Sequence, residues 1–109
     1  MNFKQDILDA AKGEKIIGVV IGEMGWSSGY NKEKVPLYDV QPRGKVLSWE
    51  QAAPFLDYEY DNGYGAPECN AVYVWTETRV LFVTQYDGAT CIHSVPRNPE
   101  DIDPEMPGG

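Results

Sequence analysis

The chain has few basic side chains. Its 109 residues hold nine Lys and Arg against 17 Asp and Glu, which gives a formal net charge of −8. Proteins that bind DNA, RNA or anionic membranes gain most of their affinity from Lys and Arg that neutralise phosphates. The composition therefore argues against a nucleic-acid polymer or a membrane surface as a partner. One or two well-placed arginines would still suffice to hold a small anion.

Cysteine and long apolar runs are also scarce. Two cysteines, Cys69 and Cys91, cannot form the disulfide framework of a secreted domain, although one bridge is formally allowed. No apolar run approaches the ~20 residues that span a bilayer, and no signal-peptide apolar stretch follows the polar start Met1 to Lys4. We therefore expect two free thiols and a cytoplasmic protein.

A single histidine and two cysteines leave few side chains for nucleophilic catalysis or zinc binding. Cys91 and the single histidine, His93, share one face of a predicted strand, but neighbours two apart on a strand point side by side. The acids between Asp57 and Glu68 resemble the spacing of a calcium loop, yet Asn62 stands where the sharp turn requires Gly. We expect neither an enzyme nor a metal site and no cofactor. A cysteine-dependent hydrolase remains a minor alternative.

Aromatic and apolar residues are plentiful enough for one folded domain over residues 1–109. The chain is 42% hydrophobic and 12% aromatic, which a disordered chain would not be. The acidic excess lies wholly in the second half, since residues 57–109 carry ten acidic and two basic side chains. The two basic residues there are Arg79 and Arg97.

The first half predicts two short helices and two strands. Apolar residues recur at helical spacing from Phe3 to Ala11, between a possible N-cap at Asn2 and a stop at Gly13. Residues 48–51 form the S-x-x-Q pattern of a capping box, which predicts a helix from about Trp49 to Leu56. The β-branched run 15–21 predicts a strand, and residues 35–40 a possible second strand, which Pro36 confines to an edge. Between them, residues 22–34 read as a loop that exposes Trp26 and Tyr30.

The second half predicts a three-stranded antiparallel meander with strands at about 71–75, 80–86 and 89–95. A two-residue turn at Asp87-Gly88 pairs Tyr86 with Ala89, and a four-residue turn pairs Trp75 with Val80. Alternation then places five aliphatic residues on one face, on which we expect the two helices to pack: Val72, Val74, Leu81, Val83 and Ile92. After it comes a proline-rich extended tail, residues 96–109. The fold class is therefore α+β, with a mostly antiparallel sheet.

The other face of the meander is aromatic, and the sequence leaves two interpretations of it open. It carries Tyr73, Trp75 and Phe82, with His93 and Cys91 beside them. It is either a second core layer, covered by the N-terminal strands or by another subunit, or a stacking surface for a flat ligand. Because so small a domain has few residues left to cover both faces, we expect a homo-oligomer.

Several segments between Leu47 and Gly109 together resemble small phage proteins. They are Trp49-Glu50, residues 57–61 (DYEYD), 63–68 (GYGAPE), 86–90 (YDGAT), 96–99 (PRNP) and 106–109 (MPGG). This pattern resembles the first of the Thoeris anti-defence families, which are cyclic-nucleotide sponges. The resemblance implies a non-enzymatic protein that binds a cyclic ADP-ribose signal made by a bacterial TIR enzyme and holds it intact. It further implies an oligomer with pockets between subunits, a phosphate ligand at Arg97, and cyclic oligonucleotides as further ligands of related members.

The residue types that such a ligand needs are present in the second half. Adenine needs an aromatic platform, pyrophosphate an arginine, and ribose hydroxyls an amide or carboxylate. We nominate as ligand-binding residues Arg97, Trp75, Phe82, Arg79 and Asn98. Gln85 has a suitable side chain, but the predicted register puts it on the aliphatic face. The alternative function is an acidic inhibitor or phage accessory factor that binds another protein through the negative second half.

Overall fold

Two helices pack on one face of a five-stranded antiparallel sheet in the computed structural model, which describes residues 1–24, 35, 37–63, 67–86 and 88–106. The strand order across the sheet is β2-β1-β3-β4-β5. In chain order the elements are α1 (Phe3–Ala11), β1 (Ile16–Met24), a 3-10 turn (Tyr38–Val40), β2 (Val46–Leu47), α2 (Trp49–Leu56), β3 (Asn70–Thr76), β4 (Arg79–Tyr86) and β5 (Ala89–Pro96). No helix among these residues is long and apolar enough to cross a membrane.

Both helices begin at the caps that the sequence predicts. The Asn2 side chain accepts a hydrogen bond from the Gln5 amide at 2.9 Å, and Lys12 ends α1 in the left-handed region at φ 52°. At the start of α2, Ser48 Oγ accepts from the Gln51 amide at 3.1 Å, while Gln51 Oε1 accepts from the Ser48 amide at 2.9 Å. This reciprocal pair satisfies two amides that a helix N-terminus otherwise leaves without partners.

The predicted aliphatic face carries the core. Val72, Val74 and Leu81 are buried, and Val83 and Ile92 pack against the same cluster. Helix α1 packs on β4 and β5, and α2 packs on β1. The helices supply the other half of the core with Phe3, Ile7, Ala11, Ala52 and Leu56. The period-two pattern therefore predicted correctly which face the helices occupy.

The register of the meander also follows the turn lengths. Trp75 pairs with Val80 and Val80 with Val95, and Tyr73, Phe82 and His93 form the neighbouring row. Tyr86 pairs with Ala89, and Thr84 pairs with Cys91. The segment after β5 contains no helix or strand over residues 97–106, and all of these are exposed, as expected of an extended tail.

The prediction of a strand over residues 35–40 is wrong for the described residues of that range, which are 35 and 37–40. Leu37 adopts a left-handed φ of 56°, and a 3-10 turn follows it. Tyr38 is fixed in this turn because its hydroxyl accepts from the Met24 amide at 3.2 Å and the Arg43 guanidinium lies 4.5 Å from its ring centroid. Strand β1 extends further than the predicted strand 15–21, because it continues to Met24, which pairs with Asn70. Trp26 and Tyr30 lie outside the described residues.

Candidate functional site

The sheet face opposite the helices is open. Strand β1 lies beside β3, with Val20 opposite Tyr73, so the N-terminal strands extend this face and do not cover it. Val46 is 77% exposed, Tyr73 57% and Val95 46%. We call this surface the open face; its residues are Gly18, Val20, Gly22, Val46, Ala71, Tyr73, Trp75, Val80, Phe82, Thr84, Cys91, His93 and Val95. None of them is Asp, Glu, Lys or Arg.

Aromatic rings form the centre of the open face. The Tyr73 and Trp75 ring centroids lie 6.1 Å apart with an interplanar angle of 74°, and Phe82 lies opposite Tyr73 on β4. A shallow hollow of about 390 Å³ beside them is lined by both Tyr73 and Phe82, and by Gly22 of β1. A Cβ on Gly22 would lie 3.2 Å from both the side chain and the carbonyl oxygen of Ala71, closer than ordinary van der Waals contact, so a larger residue would crowd β3 at this point. The surface suits a flat apolar ring system.

Arg97 lies at the Trp75 end of the sheet. Its backbone amide donates to the Thr78 carbonyl at 2.9 Å, and Nη1 donates to the carbonyls of Thr76 at 3.3 Å and Glu77 at 3.4 Å. Thr76 directly follows Trp75, so the nominated cation and the nominated indole share one end of β3. Among the described residues Arg97 forms no ion pair. Its neighbour Asn98 is exposed.

Arg79 stands apart from the open face. It pairs with Pro96 and lies two residues before Leu81 on β4, so its side chain leaves the sheet on the helix-bearing face. Its guanidinium is tied to β5, because Nε donates to Ser94 Oγ at 3.0 Å and Nη2 to the Ser94 carbonyl at 3.1 Å. It also lines a second hollow of about 300 Å³, together with Phe82, His93 and residues 102–105 of the C-terminal segment. The structure therefore places Trp75 and Phe82 on the open face, Arg97 at the β3–β4 turn beyond the Trp75 end of that face, and Arg79 at its rim.

Gln85 lies on the helix-bearing side, as the predicted register indicated. It is opposite Thr90, and its Nε2 donates to Thr90 Oγ1. Its Oε1 is buried with no hydrogen-bond partner among the described residues. It therefore does not contribute to the open face.

Sequence reasoning missed a carboxylate that fixes the end of the site. Glu14, between α1 and β1, accepts from Thr76 Oγ1 at 2.8 Å, from the Thr78 amide at 2.9 Å and from Thr78 Oγ1 at 2.7 Å. These hydrogen bonds, chiefly that from the Thr78 side chain, hold the pKa of Glu14 below its ordinary value. Arg97 donates hydrogen bonds to carbonyls of the same turn, so Glu14 and Arg97, which are distant from each other in the sequence, both fix this turn.

The two cysteines differ in their surroundings. Burial raises the pKa of Cys69 to about 12, whereas Cys91 is exposed on the open face. His93 Nδ1 forms a 2.7 Å hydrogen bond with Thr84 Oγ1. Within the described ranges no three His, Cys, Asp or Glu side chains are grouped so that they could hold a metal ion. The groups on this surface are suited to stacking and hydrogen bonding.

No protein-family model, no curated protein and no solved structure matches the chain.

Proposed function

We propose that the protein binds a cyclic nucleotide signal and sequesters it without cleaving it. The ligand class is a cyclic ADP-ribose isomer, with cyclic oligonucleotides as a further class. The observation that carries the proposal is the open face, which carries the exposed Tyr73 and the half-buried Trp75 and Phe82, with Arg97 beyond one end. The resemblance to the first Thoeris anti-defence family adds the biological setting, which is a phage protein acting in the cytoplasm of a host bacterium.

The open face supplies the separate parts that such a ligand needs. Stacking of a base on an aromatic ring is worth about 1 to 3 kcal/mol and tolerates any base, because every base has a π-face. Arginine matches phosphate with parallel N–H donors, and Nη1 of Arg97 is already oriented by two carbonyls at this end. Asn98, next in the chain, offers an amide to ribose hydroxyls. No residue of the open face is a carboxylate, although Asp103 and Glu105 of the C-terminal segment line a hollow with Phe82 and His93 and would repel a phosphate at that margin.

Titration calorimetry tests the site with cyclic ADP-ribose isomers and cyclic dinucleotides as probes. Trp75→Ala should weaken binding by about 1 to 3 kcal/mol through lost stacking. Arg97→Gln should weaken it by about 1.5 to 3 kcal/mol through loss of a charge-assisted hydrogen bond, and Arg97→Lys, which keeps the charge, by less. Chromatography of the released ligand should recover it intact. If the wild-type protein binds none of these probes, the proposal fails.

A second candidate function rests on the exposed acids of the C-terminal segment. All four of its carboxylates are solvent-exposed, namely those of Glu100, Asp101, Asp103 and Glu105. A row of exposed negative charges is suited to occupying a basic site on another protein. Conversion of all four to amides should abolish such an inhibitory activity and should not weaken nucleotide binding. The same variant therefore separates the two functions.

A further inference from the structure

Strand β5 forms an edge of the sheet that lacks the usual protection. It is last in the order β2-β1-β3-β4-β5, and all eight of its residues pair with β4 without a bulge. Natural sheets blunt their edges with short strands, bulges, lysines or central prolines. Strand β5 has no Asp, Glu, Lys or Arg, and its one proline is its last residue, Pro96. Its outer side is therefore suited to pairing with another strand.

The register shows which backbone groups of β5 face outward. Ala89 flanks a two-residue turn, so it and every second residue after it exchange hydrogen bonds with β4, and the residues between them point their amides away. The Thr90 amide fits this pattern, since it donates outward to the Asn62 carbonyl at 2.9 Å. The amides of Ile92 and Ser94 point the same way and have no backbone partner outside the sheet among the described residues.

The C-terminal segment runs beside this edge without pairing with it. Residues 102–105 line the hollow of about 300 Å³ beside Ser94 and Pro96, yet no hydrogen bond joins residues 98–106 to β5 in the described part of the chain. The Arg79 guanidinium donates to the Ser94 carbonyl, which can accept a second hydrogen bond. The chain thus leaves the outward amides available.

Four carboxylates flank this free stretch, two at each end: Asp6 and Asp9 of α1, and Asp103 and Glu105. The first pair lines a hollow of about 220 Å³ beside Ile92, and the second pair lines the hollow beside Ser94. None of the four forms an ion pair among the described residues. The one Lys or Arg that lines either hollow, Arg79, is already bound to Ser94. The edge is therefore negative at both ends.

We propose that β5 binds an extended, lysine- or arginine-containing segment of another protein, which joins the sheet as a sixth strand. The outward amides supply the backbone hydrogen bonds of strand addition, and the carboxylates at both ends select basic side chains on the added strand. The same four groups would repel an acidic segment. This inference goes beyond nucleotide binding and rests on no part of it. It gives the acidic C-terminal segment, on which the second candidate function rests, a defined place of contact.

A synthetic peptide tests the edge directly. The probe is KTKVTVKTK with blocked ends, and calorimetry should show one peptide bound per chain, more weakly as salt rises, because salt screens the attraction between charges. The peptide ETEVTVETE keeps the pattern, reverses the charge and should not bind. Because an added strand directs only alternate amides at β5, N-methylation of one set of alternate amides should abolish binding, and N-methylation of the other set should be tolerated.

Matched charge variants of the protein test the flanking acids. Asp103→Asn/Glu105→Gln removes the two charges that line the hollow and should weaken binding of KTKVTVKTK about fivefold, as expected for two exposed ion pairs. Glu100→Gln/Asp101→Asn makes the same change in net charge in the same segment, but these two residues do not line that hollow. This control should leave the affinity nearly unchanged. Equal weakening in both variants would contradict docking at the hollow.

A second pair of variants tests the backbone donors. Ser94→Pro removes one outward donor and Ser94→Ala keeps it, and both lose the hydroxyl that Arg79 binds. The peptide should bind Ser94→Pro about tenfold more weakly than Ser94→Ala, the effect of about one lost hydrogen bond. Hydrogen exchange in the wild type remains informative if Ser94→Pro fails to fold. The Ile92 and Ser94 amides should exchange more slowly once the peptide is bound.

Four results would overturn the inference. They are no binding of KTKVTVKTK, equal binding of ETEVTVETE, tolerance of both N-methylated sets, or unchanged exchange of the Ile92 and Ser94 amides on binding. Protection of these two amides before any peptide is added would also overturn it, because the edge would then be occupied already. A protein that binds the peptide and no cyclic nucleotide would refute the proposed function alone. A protein that binds a cyclic nucleotide and not the peptide would refute strand addition alone.

Discussion

Asn70 joins four segments of the fold, and its removal should be costly. It is fully buried at the start of β3. Its Oδ1 accepts from the Tyr58 hydroxyl at 2.9 Å and from Gln41 Nε2 at 3.3 Å, while its Nδ2 donates to the Gly22 carbonyl at 2.9 Å and to Gln41 Oε1 at 3.0 Å. Burial raises the pKa of Tyr58, so its hydroxyl stays protonated and remains a donor.

Asn70→Ala leaves two buried donors without an acceptor, the Tyr58 hydroxyl and the Gln41 amide. A buried polar group that loses its partner costs about 1 to 3 kcal/mol. We therefore expect a loss of about 2 to 6 kcal/mol in the free energy of unfolding, from a total of about 5 to 15 kcal/mol for a domain. At about 4 °C per kcal/mol, the melting temperature should fall by about 8 to 24 °C.

Urea unfolding followed by tryptophan fluorescence measures this loss. Asn70→Asp is the matched control, because it keeps the shape and replaces the donor that faces Gly22 with an oxygen. At pH 7 it should destabilise at least as much as Asn70→Ala. Burial disfavours its charged form, so this destabilisation should shrink as pH falls toward the unfolded-state pKa near 3.9. A loss below about 1 kcal/mol in Asn70→Ala, or an Asp variant insensitive to pH, would refute the role of this network.

Two other predictions concern titratable groups. Because hydrogen bonding lowers the pKa of Glu14 in the folded state, its stabilisation is present above its ordinary value of 4.5 and disappears as pH falls through the folded pKa. Glu14→Gln should therefore lower the urea midpoint at pH 7 and flatten its pH dependence below pH ~5; an unchanged profile would contradict this. A thiol reagent should label one cysteine in the folded protein, the exposed Cys91, and both in urea, since burial raises the pKa of Cys69 to about 12. Labelling of Cys69 in the absence of denaturant would show that its thiol is accessible to the reagent and would contradict its buried position.

The features that the sequence predicted correctly depend on residues close together in the chain. The Ser48 to Gln51 capping box fixes the start of α2 within three residues. The short turns of the meander fix the pairing of three strands, and alternation then assigns each side chain to a face. The separation of an aliphatic from an aromatic face follows from these local rules alone.

What the sequence did not reveal depends on partners far apart in the chain. Glu14 binds a turn 62 and 64 residues away, and Asn70 binds Gly22 across 48 residues. No periodicity marks such pairs. The predicted strand over residues 35–40 failed for the same reason, because the 3-10 turn there is held by the hydrogen bond from the Met24 amide to the Tyr38 hydroxyl, which local propensity does not encode.

Arg97 has backbone hydrogen-bond partners that its place in the sequence does not reveal. It is one of two cations after residue 56, and its place in the chain suits either a phosphate or an ion pair with the nearby acids Glu100 and Asp101. Its Nη1 instead donates to two backbone carbonyls of the β3–β4 turn, at 3.3 and 3.4 Å, and Glu14 holds that turn from the other side. A guanidinium fixed by one nitrogen keeps its other donors in a defined place, and a side chain ordered before binding loses less entropy on binding. The hydrogen bonds to the turn are therefore compatible with phosphate binding and lower its entropic cost.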